Sequence, residues 1–358
     1  MASTKASGMD HRPEGEYRRV VEPGEFPIAA IHRAHGHLNT MCAALVGAGA
    51  EVRVIHDRDP DKLALLREDF PDARVAASEQ EVLDDPEVKL VAAAAVPCDR
   101  GAVGERVMRA GKDYFTDKCP FTTLGQLESA RAAAAETGRK FMVYYGERLH
   151  NEGIIRAGQL IDDGAIGRVV HLDSFGPHRL EAHKRPDWFF RKEQYGGVIA
   201  DLGSHQAEKF LSFAGVAGAR VLSSSVANYG NPEYPELEDF GQATMAVDGA
   251  TCYFRVDWFT PDGLRSWGDA RTFVMGTEGY LEVRAHVDVA RGDGPVLNLV
   301  DGKGERTVEV GASGFPFFGD LILDCLERTE NAMTQEHAFL AAELSLQAQA
   351  QAVDLTTR

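Results

Sequence analysis

The chain has 358 residues, 44% of them hydrophobic and 26% charged, a globular composition long enough for two domains. A formal charge of −17 excludes the basic footprint that nonspecific nucleic-acid binding needs. No run approaches the roughly 18 uninterrupted apolar residues of a membrane helix, so no membrane partner is expected.

The first 25 residues are polar and rich in Gly, Pro and charge. They read as a disordered tail, and Arg18–Arg19 lack the apolar stretch of a secretory signal. From residue 27 to 146 short apolar runs at 28–31, 52–55, 90–96 and 141–145 alternate with amphipathic stretches at 61–70, 98–110 and 124–137. Apolar strands separated by helices of this length predict a parallel, doubly wound sheet covered on both faces. The rhythm changes near residue 150. A helix over 152–162 and a strand over 168–175 precede several strand-like runs between 219 and 310, with turn residues between them. That spacing predicts a mostly antiparallel sheet. Two helical stretches, 318–328 and 335–354, close the chain. The expected architecture is α/β, with a nucleotide-binding Rossmann domain over 26–148 and a C-terminal α+β domain over 149–358. The last helix is free to pack back on the first domain. The five cysteines, Cys42, Cys98, Cys119, Cys252 and Cys325, form no CxxC pair, and a reducing cytoplasm is the expected compartment.

The first strand-to-helix turn reads HRAHGH, residues 32–37. A dinucleotide loop places glycines here for a tight turn and close approach to pyrophosphate. His32, Ala34 and His37 stand at those positions, and only Gly36 remains, one place early. The context still fits a nucleotide loop. A helix N-terminus follows and can offer N–H groups to phosphate. Asp57 ends the next strand about 20 residues on, where a carboxylate accepts ribose hydroxyls. Ala34, His35, Gly36, His37, Asp57, Arg58 and Pro97 are therefore the candidate cofactor contacts. A zinc site on His32, His35 and His37 and a plain turn are the rival readings; the loop has no nearby Cys, Asp or Glu as a fourth ligand.

Two further segments carry chemistry. In GGVIADLGSHQAEKFL, Asp201 and His205 are four apart and predict one face of a helix opened by Gly196–Gly197. Gly203 weakens that helix unless something approaches it closely. An exposed surface pair is the bland alternative. In DYFTDKCPFTTLGQLESA, Lys118 ends a strand of the parallel sheet, the edge where such sheets bind ligands, and a lysine there can stabilise a developing alkoxide. A solvated lysine at a helix start is the alternative.

These segments resemble the glucose–fructose oxidoreductase, inositol dehydrogenase and rhizopine-catabolism (Gfo/Idh/MocA) family over about residues 26–355. The resemblance implies a C-terminal domain with a large open sheet, bound NAD with NADP as the alternative, and hydride transfer at a hydroxyl or keto carbon of a sugar, polyol or related compound. It implies Lys118 at the reacting hydroxyl and nicotinamide, His205 as acid/base, and Asp201 as the group that orients substrate and tunes the histidine. Cys119 replaces the family's proline after the lysine, and Glu208 stands where the family often has Asp. Glu147, Arg148, His178, Arg179, Arg185 and Trp188 are the candidate substrate contacts. The family's habit of pairing open sheets implies a homodimer or homotetramer. A redox-assisted lyase or glycosidase with tightly held NAD, and a nonenzymatic sensor or scaffold, are the competing functions.

Overall fold

The structure is a computed structural model that describes residues 13, 15–311 and 313–356. Its contacts divide the chain into two units. The first takes the described residues through Tyr144 together with Gly314–Phe339; the second takes Tyr145–Ser313 and runs on from Leu340.

The first unit alternates strand and helix. Its elements are β1 (Pro27–Arg33), α1 (His37–Gly47), β2 (Glu51–His56), α2 (Pro60–Asp69), β3 (Arg74–Val75), α3 (Glu79–Leu83), β4 (Leu90–Ala94), α4 (Pro97–Arg109), β5 (Asp113–Asp117), α5 (Leu124–Thr137) and β6 (Phe141–Tyr144). The six strands pair in parallel in the order β3-β2-β1-β4-β5-β6, the doubly wound sheet expected. Every residue of β4, β5 and β6 is buried; β4 and β6 are accordingly apolar without alternation, while β5 buries Asp113, Thr116 and Asp117 beside Tyr114 and Phe115. Helix α5 starts on a capping box between Thr123 and Gln126 and stops at left-handed Gly138. The strand order reverses between β1 and β4, and a ligand crevice lies outside the strand ends at such a point.

Two stretches join this unit from elsewhere in sequence. Residues 1–12 and 14 lie outside the described residues, but 15–25 are not a loose tail. Val20 N donates to Ala48 O at 3.0 Å, Arg18 pairs with Asp320 at 2.6 Å, and the Tyr17 ring lies 5.4 Å from Phe315 and 5.8 Å from Phe318. An aromatic anchor and a main-chain bond outweigh the polar composition there. A later helix, Pro316–Glu327, brings Phe317 and Phe318 within 5.9 and 6.5 Å of Phe115 on β5. Arg328 after it forks onto Asp113, with both bonds at 2.7 Å.

The second unit begins with α6 (Gly146–Leu149), α7 (Glu152–Asp162), β7 (Val169–Pro177) and α8 (Lys192–Tyr195). A π-helical turn, Ile199–Gly203, leads into α9 (Ser204–Ala214). The strands that follow are β8 (Arg220–Ala227), β9 (Phe240–Val247), β10 (Ala250–Asp257), β11 (Arg271–Gly276), β12 (Gly279–Arg284), the small hairpin β13 (Val287–Asp288) and β14 (Gly292–Asp293), β15 (Val296–Asp301) and β16 (Gly304–Val308). After α10, the helix Pro316–Glu327 already described, come α11 (Gln335–Ala350) and β17 (Val353–Asp354). Nine strands pair in the order β16-β15-β12-β11-β7-β10-β9-β8-β17. Only β7 with β10 and β8 with β17 are parallel, so the sheet is mostly antiparallel, as expected. Helices α7 and α9 cover one face. Phe175, Tyr253, Phe273 and Tyr280 remain part-exposed on the strands, with Arg255 stacked 5.4 Å over Phe175.

Candidate functional site

The first unit holds a cavity of about 780 Å³ at the C-terminal edge of its sheet, bordered by His32, Ala34, Asp57, Arg58, Glu79 and Arg106, among others. Asp57 is fixed by two backbone donors: Arg33 N at 2.6 Å and Asp59 N at 2.9 Å. Arg58, on the same rim, is exposed. Pro97 occupies the first turn of α4, where its missing N–H costs nothing.

The histidine loop separates into two parts. His32, at the first glycine position, adopts a left-handed φ of 54°, the conformation a glycine would take at no steric cost. Its Nε2 bonds Glu79 Oε2 at 2.7 Å, and Arg106 holds the same carboxylate at 2.6 and 3.1 Å. Burial pushes the Glu79 carboxyl up, but these two bonds and charges outweigh it and hold it at about 2. His35 and His37 turn instead toward Asp117, at the end of β5. His37 Nδ1 lies 2.9 Å from Asp117 Oδ1, and His35 Nδ1 lies 3.4 Å from Oδ2. Asp117 replaces His32 in the triple expected of a metal reading: ligand-type atoms of His35, His37 and Asp117 all lie within 4.8 Å of one another. The carboxylate is already met by charge. Burial alone would raise its pKa, yet His37 and Arg100 hold it far below the usual carboxylate range. Burial also keeps the His35 ring well below its ordinary value, hence neutral near pH 7. The three side chains form a clasp between the loop and β5.

Lys118 follows Asp117 directly and is 7% exposed. The Lys118–Cys119 peptide is cis. Arg100, 1% exposed, donates to the carbonyls of Ala95, Lys118 and Cys119 and to Asp117 Oδ2 at 3.3 Å. The sequence offered no local sign of Arg100, because three of these four partners, Asp117, Lys118 and Cys119, lie 17 to 19 residues away.

In the second unit Asp201 and His205 are 9% and 4% exposed, so they are not a surface pair. They do not share a regular α-helical face. Asp201 sits in the π-helical turn, and the α-helix begins only at Ser204. A wider turn changes the direction in which residues four apart project. Glycines and distant side chains shape this turn. Gly196 and Gly197 adopt left-handed φ of 91° and 99°, and a Cβ on Gly197 would meet Gln349 Cδ at 2.3 Å. Gln349 Oε1 accepts from Ile199 N and Ala200 N, and Glu238 Oε2 accepts from Val198 N. Gly203 is approached by the Phe254 ring of β10, 3.0 Å from where its Cβ would be.

Beneath α9 runs a buried ionic network. Lys209, 1% exposed, reaches Glu147 Oε2 at 3.2 Å, Gln206 Oε1 at 3.0 Å, Ser174 Oγ at 3.2 Å and Thr272 Oγ1 at 3.3 Å. Glu208, fully buried, takes the Arg148 guanidinium through Nε at 2.7 and 2.8 Å. Burial pushes the Glu147 carboxyl up, but Lys209, His205 and His178 outweigh it and hold it at about 2. Because Glu147 and Glu79 sit below the ordinary 4.5 when folded, their stabilisation is complete above that value and fades as pH falls toward 2. Thermal unfolding is expected to show a steep loss of stability between about pH 5 and pH 2, with little change from pH 6 to 8 from these groups.

The remaining candidates gather around a separate aromatic corner. The His178 ring lies 5.5 Å from Trp258 and 4.5 Å from Trp267. Arg185 stacks 4.8 Å over Phe189 and 4.9 Å over Trp258. Arg179 is 6% exposed and directs Nη2 to the carbonyls of Pro261, Leu264 and Ser266, so it shapes the 258–270 connection between β10 and β11. Trp188 is half-buried beside Phe189.

Comparison with known proteins matches both units. The oxidoreductase family with an NAD-binding Rossmann fold matches residues 28–145, and the GFO/IDH/MocA C-terminal domain matches residues 154–282. A crystal structure from Erwinia carotovora atroseptica, of a protein named only as an oxidoreductase, is 48% identical with a TM-score of 0.90, over 92% of this chain and all of that one. A levoglucosan dehydrogenase in complex with NADH and levoglucosan shares the fold at 16% identity, with a TM-score of 0.74 over 91% of this chain and 97% of that one. The scyllo-inositol 2-dehydrogenase (NADP+) of Bacillus subtilis is 29% identical over 47% of this chain and 46% of its own length. The D-xylose dehydrogenase of Paenarthrobacter nicotinovorans is 27% identical over 42% and 40%. The chain thus spans less than half the length of the curated relatives it matches. No described helix is long and apolar enough to cross a membrane. With both of its domains matched, the chain belongs to the GFO/IDH/MocA oxidoreductase family, whose first domain is an NAD-binding Rossmann fold.

Proposed function

We propose that this protein is a nicotinamide-dependent dehydrogenase that moves a hydride between its cofactor and a hydroxyl-bearing carbon of a sugar or polyol. The cavity rimmed by Asp57 carries the reading, because it sits at the strand-order reversal with a fixed carboxylate where a ribose would lie. The residues fit the cofactor. Asp57 accepts the adenosine ribose hydroxyls and repels a 2′-phosphate, so NAD is preferred over NADP although Arg58 lies alongside. Ala34, Gly36 and the start of α1 face the diphosphate, and His35 and His37 are held beside them by Asp117. When bound, nicotinamide supplies the hydride chemistry.

Lys118 is assigned to the reacting hydroxyl in the first unit. In the second, His205 is assigned the proton and Asp201 its orientation. The aromatic corner suits a sugar face, since His178, Trp258 and Trp267 offer apolar planes. Trp258 Nε1 and Thr260 Oγ1 are buried without a partner among the described residues, and a ligand rich in hydroxyls would satisfy such groups. Arg148, engaged by Glu208, and Arg179 act on substrate through the segments they hold. The part-exposed aromatic strands of the second unit are assigned to a homodimer or homotetramer contact, and five scattered cysteines with no CxxC pair suit a cytoplasmic protein.

The test is a fluorescence titration with NADH and NADPH, followed by a sugar and polyol screen with the preferred cofactor. Saturable NADH binding, tighter than NADPH by tenfold or more, is expected. In Asp57→Ala that preference is expected to shrink at least tenfold. Absence of binding by either nucleotide overturns the reading.

A further inference from the structure

The clasp at the nucleotide loop gathers metal-ligating side chains from two strand ends of the first unit. Among the described residues, His35, His37 and Asp117 are the one group of three or more His, Cys, Asp or Glu side chains with ligand-type atoms within 4.8 Å of one another. His35 lies in the loop before α1, His37 opens α1, and Asp117 ends β5. Their side chains are 11%, 16% and 1% exposed. In a tetrahedral site with metal–nitrogen bonds of about 2.0 Å, neighbouring ligand atoms stand about 3.3 Å apart. His37 Nδ1 is 2.9 Å from Asp117 Oδ1 and His35 Nδ1 is 3.4 Å from Oδ2, both near that spacing.

The second of these contacts is not a hydrogen bond. His35 Nδ1 accepts from His37 N at 3.2 Å, so in the neutral ring the proton sits on Nε2 and Nδ1 presents a lone pair. That lone pair faces Asp117 Oδ2, which is also an acceptor. Two acceptors held together in a mostly buried space repel each other, and a cation between them reverses the sign. Three positive features oppose a cation. Arg100 Nη2 lies 3.3 Å from Oδ2, Lys118 is the next residue, and the positive end of α1 is at His37. Arg100 is divided among three carbonyls as well, and a carboxylate has about four lone-pair positions, so Oδ1 stays available. These charges set a moderate affinity.

We propose that His35 Nδ1, His37 Nδ1 and Asp117 Oδ1 bind one divalent transition metal of the zinc class, which joins the nucleotide loop to β5. Two imidazoles and one carboxylate suit zinc, cobalt or nickel, whereas calcium and magnesium take oxygen ligands. The proton that His37 Nδ1 donates to Asp117 moves to Nε2 as the metal takes Nδ1, and the 3.2 Å bond from His37 N is given up. Three protein ligands leave a fourth position to water, the open arrangement rather than the closed structural one. The proposal is independent of the dehydrogenase reading, and its test needs no substrate.

Tag-free full chain, stripped with EDTA and titrated with Co²⁺, reports binding through the visible absorption of coordinated cobalt. One saturable equivalent per chain is expected, with a Kd in the micromolar range, and Zn²⁺ is expected to displace the cobalt and remove the band. In His35→Ala and Asp117→Asn, with melting temperature checked for a retained fold, Co²⁺ affinity is expected to fall at least tenfold. If Asp117→Asn does not fold, His37→Asn takes its place with the same expected loss. His32→Gly, which suits the left-handed φ at that position, is expected to bind cobalt as the wild type does. No saturable band in the wild type, or a band unmoved by His35→Ala (an adventitious ion only), overturns the proposal. So does a band lost in His32→Gly, which would return the site to the three histidines of the loop. The NADH titration decides the dehydrogenase reading on its own, so the two failures are separable.

Discussion

His205→Ala and Lys118→Ala are each expected to lower turnover by about 10²- to 10⁴-fold with any accepted substrate, the usual contribution of a positioned proton-transfer group. His205 is 4% exposed and Lys118 is 7% exposed, too buried for solvated surface groups. Arg100 holds the Lys118 carbonyl, and the capped π-helical turn leads into His205. NADH affinity should fall little in His205→Ala, because that residue belongs to the second unit and the Asp57 cavity to the first. Steady-state kinetics beside a binding titration separate the effects: kcat/KM falls while Kd for NADH holds. Unchanged turnover in both variants would sink the dehydrogenase assignment. Turnover that depends on both residues but releases no net NADH, with cofactor retained through purification, would instead identify the redox-assisted lyase. Nucleotide binding with no turnover of any sugar or polyol would leave the sensor.

Lys209→Met is expected to destabilise the second unit by about 3–5 kcal/mol, the cost of leaving a buried charge without its partner. Lys209 is 1% exposed and is the only cation bonded to Glu147 among the described residues, at 3.2 Å. Removing it leaves that carboxylate and the Ser174 and Thr272 hydroxyls short of a partner. The double variant Lys209→Met/Glu147→Gln should recover a large part of the loss, because the expensive species is the lone charge and not the absence of the pair. Urea unfolding followed by tryptophan fluorescence reads this directly, since all three tryptophans, Trp188, Trp258 and Trp267, belong to the second unit. A loss below about 1 kcal/mol would show that the network contributes no more than exposed ion pairs do.

Much of this protein was legible in its sequence. The apolar runs at 28–31, 90–96 and 141–145 became β1, β4 and β6 because strands buried on both faces must be continuously apolar, and 52–55 fell in β2, where exposed Glu51 and Arg53 alternate with buried Val52 and Val54. The helix over 124–137 was legible to the residue, with Thr123 and Gln126 at one end and Gly138 at the other. Asp57 stood out by its distance from the first turn. Asp201, His205 and Lys118 stood out because chemically capable residues fell beside glycines or at a strand end.

What sequence could not show is what the fold brings together from far apart. Arg100 meets Asp117 and the carbonyls of Lys118 and Cys119, Gln349 caps a turn 150 residues before it, and Lys209 meets Glu147 from 62 residues away. No local period encodes such pairs, because each forms only when separate elements pack. The DxxxH spacing predicted one α-helical face, but packing of Gly203 against Phe254 and capping by Gln349 and Glu238 accompany a π-helical turn. The HRAHGH loop shows the division most plainly. Its histidines were visible at once, but whether they served one site or two was decided by Glu79 and Asp117, carboxylates 47 and 80 residues further on. Local composition and period determined the elements and their order. Which polar groups share a buried space was decided by tertiary packing, since only there does an unmet charge become costly enough to select its partner.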